Sequence, residues 1–303
     1  MRDTWAVGDA TSQALWRDLI ALCKWRVVAV MLVCALVGML LAAPLPSLHT
    51  VVFGLSGIGL AAAGAAAINH VVDRRLDAAM LRTSGRPLAA GRLPPSLALL
   101  WALLLSVAGV LLLALLVNGL TAWLTLASLM GYALVYTIFL KRATPQNIVI
   151  GGVAGAAPPL LGWTSVTGHL AAEPLLLMLI IFAWTPPHFW ALAIHKRDEY
   201  AAAGVPMLPV THGDEFTRLQ VWLYGWLTVA ATLMPFSIGM AGWPYLVGAC
   251  LLNIRFMTWN LRVWRGKDDK APLLAFWFSI RYLLAIFGLL LLDHYLSLSG
   301  SIN

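Results

Sequence analysis

The sequence predicts an all-α, polytopic membrane protein with about nine transmembrane helices in a single domain, residues 1–303. Of its residues, 61% are hydrophobic and only 11% are charged, whereas soluble domains carry roughly 25% charged residues. Apolar runs of about 17 to 25 residues, the length that crosses a bilayer as a helix, recur from one end of the sequence to the other. The composition therefore excludes an ordinary soluble enzyme or binding module.

Nine apolar runs define the predicted transmembrane spans. They lie at residues 27–43, 51–70, 97–117, 119–140, 147–163, 174–194, 219–238, 243–261 and 272–293. The fifth run is predicted to be bent or locally unwound, because it contains three glycines followed by Pro158 and Pro159. Irregular backbone at membrane depth is tolerated only against protein or a wet cavity, so this span indicates a lined pocket.

The basic residues fall almost entirely on one side of the predicted membrane. Of the 20 Lys and Arg residues, 18 lie in the N-terminal segment and in the loops after the second, fourth, sixth and eighth spans. Because positively charged loops remain in the cytoplasm, we predict a cytoplasmic N-terminus and an outward C-terminus. This asymmetry explains the formal net charge of +7, so the lipid bilayer is the predicted partner and nucleic acid is not.

Two arginines, Arg255 and Arg281, remain inside predicted spans. Arg281 lies about ten residues into the ninth span, or roughly 14 Å by helical rise. A guanidinium at that depth requires an anionic partner or a polar cavity.

A polar motif follows the second span. Asn69, Asp73 and Asp77 are spaced by four residues, so on a continuing helix they share one face and lie one turn apart. Oxygen ligands of this kind suit Mg²⁺, which takes one or two carboxylates and completes its coordination with water and substrate phosphate oxygens. The alternative is a polar loop between two membrane helices, which would contain charged residues anyway.

Five arginines surround this motif: Arg74, Arg75, Arg82, Arg86 and Arg92. A guanidinium matches the geometry of phosphate with paired donors. Carboxylates for a metal ion and arginines for phosphate, both at a membrane surface, indicate a magnesium-bound diphosphate whose organic part lies in the lipid.

A second polar motif ends the sixth span. His188, His195 and Glu199 would form one narrow stripe if the helix continued beyond the span. A histidine at membrane depth is either a hydrogen-bonded helix contact or a substrate contact, including ligation or packing of a haem. Asp198 and Glu199 provide a second pair of carboxylates after Lys196.

The motif Asn69-xxx-Asp73-xxx-Asp77, after a helix of small residues and with a second acidic loop four helices later, resembles the UbiA-type intramembrane prenyltransferases. Residues 140–163, 185–194 and 199–210 resemble one branch of that superfamily, the protohaem IX farnesyltransferases or haem O synthases. Other branches often carry a second Asp-xxx-Asp motif, whereas the acids here are adjacent and are followed by Tyr200. This departure leaves open which acid meets a second Mg²⁺, and it counts against the branches that prenylate aromatic acids.

The resemblance implies a UbiA-type bundle in a bacterial inner membrane that moves a farnesyl group from farnesyl diphosphate to a vinyl group of haem B, giving haem O. It also implies Mg²⁺ as the cofactor, and haem A synthase or a terminal oxidase assembly as further partners. The alternatives are a transferase with another acceptor, a quinone precursor or a chlorin, or a transporter of anionic amphiphiles. The near absence of acidic residues within the spans disfavours an ion-coupled transporter.

Roles for individual residues follow from this resemblance. The implied metal ligands are Asn69, Asp73, Asp77, Asp198 and Glu199. The residues implied to assist the reaction, beside the motif itself, are Arg82, Arg86, Lys196 and Tyr200. The residues implied to bind substrate are Arg74, Lys141, Arg142, Gln146, Asn147, His188, His195 and Arg197.

Overall fold

The computed structural model describes the backbone of residues 4–300 and the side chains of residues 13–299 other than Arg142. This part of the chain is helical and contains no strand. The longer helices are α1 (Thr4–Leu22), α2 (Trp25–Ala42), α3 (Leu48–Ala79), α4 (Pro95–Leu116), α5 (Gly119–Met130) followed by a π-helix (Gly131–Leu140), α7 (Asn147–Ala156), α8 (Pro158–Thr167), α9 (Ala172–His195), α12 (Gly213–Ser237), α13 (Trp243–Arg265) and α14 (Ala271–Gly300). The short helices are α6 (Lys141–Ala143), α10 (Arg197–Ala202) and α11 (Leu208–Thr211).

The prediction of about nine transmembrane helices is confirmed. Eight helical segments of the described chain are long and apolar enough to cross a membrane, counting α5 with the π-helix and α7 with α8 as one segment each. The ninth is α13, whose 23 residues have the required length although Asn253, Arg255 and Asn260 make it less apolar. Large apolar side chains cover the outer surface, for example Leu115 at 77% and Trp123 at 69% exposure. The chain is therefore a polytopic membrane protein.

Helix α3 carries the first polar motif on an extension beyond the predicted span. It has 32 residues, or roughly 48 Å at 1.5 Å per residue. Its N-cap is Ser47, whose side chain accepts a hydrogen bond from the backbone N–H of Thr50. The predicted span ended at residue 70, nine residues too early, because hydropathy falls at the charged residues while the backbone hydrogen bonds continue.

Small residues bring α3 and α4 into direct backbone contact. A Cβ atom on Gly109 would lie 2.6 Å from the carbonyl oxygen of Gly57 and 2.6 Å from the amide nitrogen of Ala61. A Cβ atom on Gly64 would lie 2.8 Å from the carbonyl oxygen of Ala102. The glycine- and alanine-rich second span is therefore a close-packing surface.

The fourth and fifth membrane segments are both irregular. The fifth is interrupted at Ala157, between α7 and α8, as its glycines and prolines predict. The fourth changes from α-helix to a ten-residue π-helix, in which the hydroxyl of Thr137 donates to the carbonyl of Tyr132. Such segments are rare and often occur at functional sites.

Helix α9 continues through Pro186 and Pro187. Pro187 has no N–H to offer the carbonyl of Ala183, and the hydroxyl of Thr228 on α12 donates to that carbonyl instead, at 2.9 Å. The helix ends at His195, and Lys196 separates it from α10.

The stripe of His188, His195 and Glu199 was predicted only if the helix continued, and the structure does not meet that condition. The turn at Lys196 breaks the helical register, so Glu199 belongs to the separate helix α10. His188 is buried, whereas His195 is exposed.

Candidate active site

Asn69, Asp73 and Asp77 form a buried row on one face of α3. They are 4%, 1% and 5% exposed. The side-chain amide of Asn69 donates to Asp73 Oδ2 at 2.8 Å and to the hydroxyl of Thr137 at 3.4 Å, so the row faces the π-helix. We call these three residues the carboxylate row.

Three cations converge on the carboxylate row from different parts of the chain. Lys24 donates to Asn69 Oδ1, and Lys141 pairs with Asp73 Oδ2. Arg86 donates to both oxygens of Asp77 at 2.8 Å. Three positive charges face two carboxylates, so the site carries an excess of positive charge and is suited to an anionic ligand.

Lys24 was not identified from the sequence. It lies between α1 and α2 in a left-handed backbone conformation, with φ of 48°. Burial lowers the pKa of its ammonium group to about 8, and the neighbouring charges of Arg86 and Lys141 act in the same direction. The sequence offered little to single it out, since it is one of several basic residues before the first span.

His70 and a tyrosine pair were also missed as site residues. His70 is 3% exposed and its Nδ1 lies 3.8 Å from Asp77 Oδ2, yet neither ring nitrogen has a hydrogen-bond partner among the described residues. Tyr132 and Tyr136 stack with ring centroids 5.4 Å apart on the π-helix that faces the row. Tyr136 packs over Gly151, where any Cβ atom would clash with its ring.

The carboxylate row fits a magnesium ion that is shared with a substrate. Within the described residues, no three His, Cys, Asp or Glu side chains cluster closely enough to enclose a metal ion. However, Asp73 Oδ1 is buried without a hydrogen-bond partner. Mg²⁺ requires only one or two carboxylates when water and phosphate oxygens complete its coordination, so two aspartates and the Asn69 oxygen are a sufficient protein contribution.

Tyr200 of the second acidic loop lies near the segment that follows α3. Burial raises the pKa of the Tyr200 hydroxyl, and the positive charge of Arg82 counteracts this effect, as that of Arg86 does more weakly. Tyr200 therefore lies within electrostatic range of the arginines that follow α3. A cavity of about 330 Å³ also joins the two regions, since it is lined by Lys141, by Arg75, Leu76 and Ala79, and by residues 203–205.

The acids of this loop are paired locally. Glu199 forms an ion pair with Lys196 at 2.6 Å, and its Oε2 is buried without a hydrogen-bond partner in the described chain. Arg197 pairs with Asp214 at 3.4 Å, and Asp198 is exposed. Of the two acids, Glu199 is the one with an unsatisfied buried oxygen.

His188 occupies a packed position between α9 and α14. Its ring stacks between Trp184 and Phe276, with centroids 4.2 and 4.4 Å away, and its Nδ1 lies 2.7 Å from the hydroxyl of Ser279. These contacts agree with the hydrogen-bonded helix contact, one of the two interpretations of the sequence.

The remaining predicted residues are dispersed around the site. Arg74 donates to the carbonyl of Val71 on its own helix, at 2.9 Å. Asn147 is buried, and its Nδ2 lies 3.5 Å from the carbonyl of Lys141. Gln146 is exposed, and the side chain of Arg142 lies outside the described part of the chain.

A larger cavity, of about 530 Å³, opens beside the carboxylate row. Its lining includes Lys24, His70, Arg82 and Arg86, together with the ion pair between Arg92 and Asp18. The row is thus buried in the bundle but adjoins a basic cavity at the same end.

Comparison with known proteins gives a consistent result. Residues 31–288 match the UbiA prenyltransferase family. Protoheme IX farnesyltransferase 1 of Pseudomonas fluorescens strain Pf0-1 is 58% identical over 294 residues, which cover 97% of this chain and 98% of that one. The protein of the same name from Pseudomonas aeruginosa strain PAO1 is 58% identical over 295 residues, covering 96% and 97%.

Solved structures show the same fold at low sequence identity. A digeranylgeranylglyceryl phosphate synthase has a TM-score of 0.78 at 15% identity, covering 92% of this chain and 98% of that one. A UbiA homolog from Archaeoglobus fulgidus bound to GPP and Mg²⁺ has a TM-score of 0.66 at 18% identity, covering 90% and 99%.

The helical membrane bundle and its cation-lined carboxylate row define an intramembrane prenyltransferase. The chain belongs to the UbiA prenyltransferase family, and its relatives place it among the protoheme IX farnesyltransferases.

Proposed function

We propose that this protein transfers the farnesyl group of farnesyl diphosphate to a vinyl group of haem B and releases diphosphate. The observation that carries the proposal is the buried carboxylate row with Lys24, Arg86 and Lys141 directed at it. The identity of the prenyl group and of the acceptor is supported by the names of relatives that are 58% identical over almost the whole chain.

The first step breaks the bond between C1 of the farnesyl chain and the diphosphate oxygen, and the electron pair leaves with the diphosphate. Lys24, Lys141 and Arg86 lie where they can transfer their hydrogen bonds from the row to the diphosphate oxygens as negative charge grows there. When bound by Asn69, Asp73 and Asp77, Mg²⁺ would supply further positive charge to the leaving group.

The second step forms a carbon–carbon bond between the allylic cation and the vinyl carbon of haem. The cation that results next to the porphyrin gains a hydroxyl group from water, which loses a proton, and the product carries a hydroxyethylfarnesyl side chain. The protein must exclude bulk water from the first cation. The burial of the row and the stacked Tyr132–Tyr136 pair beside it suit this requirement.

The basic loops suggest the orientation in the membrane. We infer that the end carrying the carboxylate row faces the cytoplasm, with the N-terminus, since nearly all Lys and Arg residues lie in the segments at that end. Both the donor and the acceptor would then meet the protein from the cytoplasmic side of the inner membrane.

The acceptor test uses the purified protein in liposomes with farnesyl diphosphate and Mg²⁺. We expect haem B to gain a hydroxyethylfarnesyl group, detected by product mass, and we expect diphosphate release to stop when EDTA is added. A parallel reaction with an aromatic acid should give no product. Prenylation of the aromatic acid but not of haem B would contradict the assigned acceptor, and turnover unaffected by EDTA would contradict the metal assignment.

A further inference from the structure

Apart from Arg265, the last residue of α13, three exposed arginines lie on the outer surface of the bundle, on helices α13 and α14. They are Arg255, Arg262 and Arg281. None of them forms an ion pair with a carboxylate in the described part of the chain. The sequence predicted that Arg281 would need an anionic partner or a polar cavity, and the structure instead exposes it on the side that faces the membrane.

Trp259 lies between two of these arginines and contacts both. The guanidinium carbons of Arg255 and Arg262 lie 5.4 and 4.7 Å from the ring centroid of Trp259. Residues 255, 259 and 262 are spaced by four and three, so they share one face of α13. The Trp259 ring also lies 6.4 Å from that of Phe278 on α14, which fixes how the two helices align.

This alignment places Arg255 and Arg281 at the same level. The two helices run in opposite directions, and each arginine is about one turn beyond the Trp259–Phe278 contact, away from the end that carries the carboxylate row. Each is ten residues from that end of its helix, at Arg265 or Ala271, a distance of roughly 15 Å. Two positive charges at this depth need an anion from outside the chain.

The surroundings indicate which anion. A second copy of the chain in a two-fold contact would bring like charges together, so self-association does not neutralise this surface. The guanidinium group of Arg255 packs against Trp259, which lies one turn nearer the membrane surface. Two further arginines, Arg262 and Arg265, follow on α13 towards that surface. Exposed apolar side chains lie about one turn deeper in the membrane than the arginines, including Leu251 at 65% and Leu284 at 39% exposure. A ligand with a negative headgroup near the surface and long apolar chains matches this pattern.

We propose that the outer face of α13 and α14 is a binding site for an anionic phospholipid. The phosphate lies against Arg255, Arg262 and Arg281, and the acyl chains run along Leu251 and Leu284. Basic surfaces between membrane helices near the cytoplasmic side bind acidic headgroups in this way. The site lies on other helices than the carboxylate row, so it does not depend on the proposed function.

The test uses native mass spectrometry to measure how much lipid the full chain retains in detergent. The added lipid is phosphatidylglycerol or phosphatidylcholine, both with the same acyl chains. We expect the unaltered protein to retain phosphatidylglycerol preferentially. The variant R255Q/R281Q should retain it roughly tenfold less well, because two cations next to the headgroup are lost. The matched control is K267Q/K270Q, which removes two exposed cations from the loop at the same end of the helices.

Each outcome decides the proposal. Loss of retention in R255Q/R281Q but not in K267Q/K270Q supports it, provided that both variants unfold at the same temperature in phosphatidylcholine. Equal retention of the two lipids, or equal loss in the two variants, overturns it. The proposal is also overturned if the surface binds a membrane protein instead of a lipid. That result would be capture of a protein partner that requires Arg255 and Arg281 and that phosphatidylglycerol does not displace.

Discussion

Lys24 connects the start of the first membrane helix to the carboxylate row. Its ammonium group donates to Asn69 Oδ1, 45 positions further along the chain, and it lies beside Arg86 and Lys141. Burial and these two like charges disfavour the charged ammonium group, and Asp73 and Asp77 offset this only in part, so a diphosphate anion would stabilise it. Lys24 is thus suited to bind the donor substrate.

We therefore predict that Lys24→Gln weakens binding of farnesyl diphosphate. Loss of a hydrogen bond to a charged group should raise the KM for the donor about tenfold or more, while the KM for haem B changes little. Initial rates at saturating haem, measured over a range of donor concentrations, check this. Lys267→Gln, an exposed loop substitution with the same charge change, is the control. An unchanged KM for the donor in Lys24→Gln would show that Lys24 does not contact the diphosphate.

Residue spacing predicted which side chains share a face of one helix, but it did not predict contacts between helices. The four-residue spacing of Asn69, Asp73 and Asp77 correctly predicted a shared face, because helical geometry alone determines it. Lys24 and Thr137 meet the row only through packing of distant segments, and no local pattern encodes such a contact. The same limit applies to His188, where the sequence could not choose between a haem contact and the observed stacking on α14.

Helix α3 holds the carboxylate row in place through its contact with α4. The close approach at Gly109 leaves no room for a methyl group, because the carbonyl of Gly57 and the amide of Ala61 lie where it would go. Both atoms belong to the backbone of α3, so relief requires the helices to separate. The packing of α3, which carries the carboxylate row, thus depends on small residues.

Gly109→Ala should consequently lower the stability of the bundle. Overpacking against the backbone is expected to cost about 1–3 kcal/mol, seen as a lower midpoint of thermal unfolding in detergent. Gly155→Ala on α7 is the matched control, since nothing lies within 4 Å of its added methyl group. Equal midpoints for the two variants would mean that the α3–α4 contact tolerates a methyl group at Gly109.

Helix interruptions were predictable where residues with special backbone properties cause them. The break at Ala157 follows from Pro158 and Pro159, which cannot continue the hydrogen-bond pattern of the preceding turn. The π-helix at Gly131–Leu140 has no proline, and its sequence GYALVYTIFL is typical of an ordinary membrane helix. It was not predicted, because nothing in that sequence distinguishes it from an ordinary α-helix.

The basic loops alternate along the chain with loops that lack Lys and Arg, and this alternation predicts which end of the bundle faces the cytoplasm. Hydropathy identifies eight of the membrane helices in the described part of the chain, and α13 is the less apolar ninth. The loop charges supported the predicted count because a missed helix would have disturbed the alternation. The predicted ends of the helices were less accurate, since α3 and α14 extend past their apolar segments.

The orientation can be tested with single cysteines at opposite ends of the bundle. In a background with Cys23, Cys34 and Cys250 replaced by alanine, we expect Ala90→Cys to react with a membrane-impermeant maleimide only in inverted vesicles. Leu45→Cys, at the opposite end, should react only in right-side-out vesicles, because both positions are exposed. The reverse labelling pattern would place the carboxylate row on the outer side and contradict the proposed topology.

Chromatography of haems extracted from cells that lack their own haem O synthase tests the proposed activity of the carboxylate row. The unaltered chain should yield haem O, and the variant with Asp73→Ala and Asp77→Ala should yield none, because the leaving diphosphate then has no carboxylate-held metal ion to neutralise it. The control variant with Asp268→Ala and Asp269→Ala, two exposed acids in the loop before α14, should yield normal haem O. Full haem O production by the Asp73→Ala, Asp77→Ala variant would contradict the assignment of the carboxylate row.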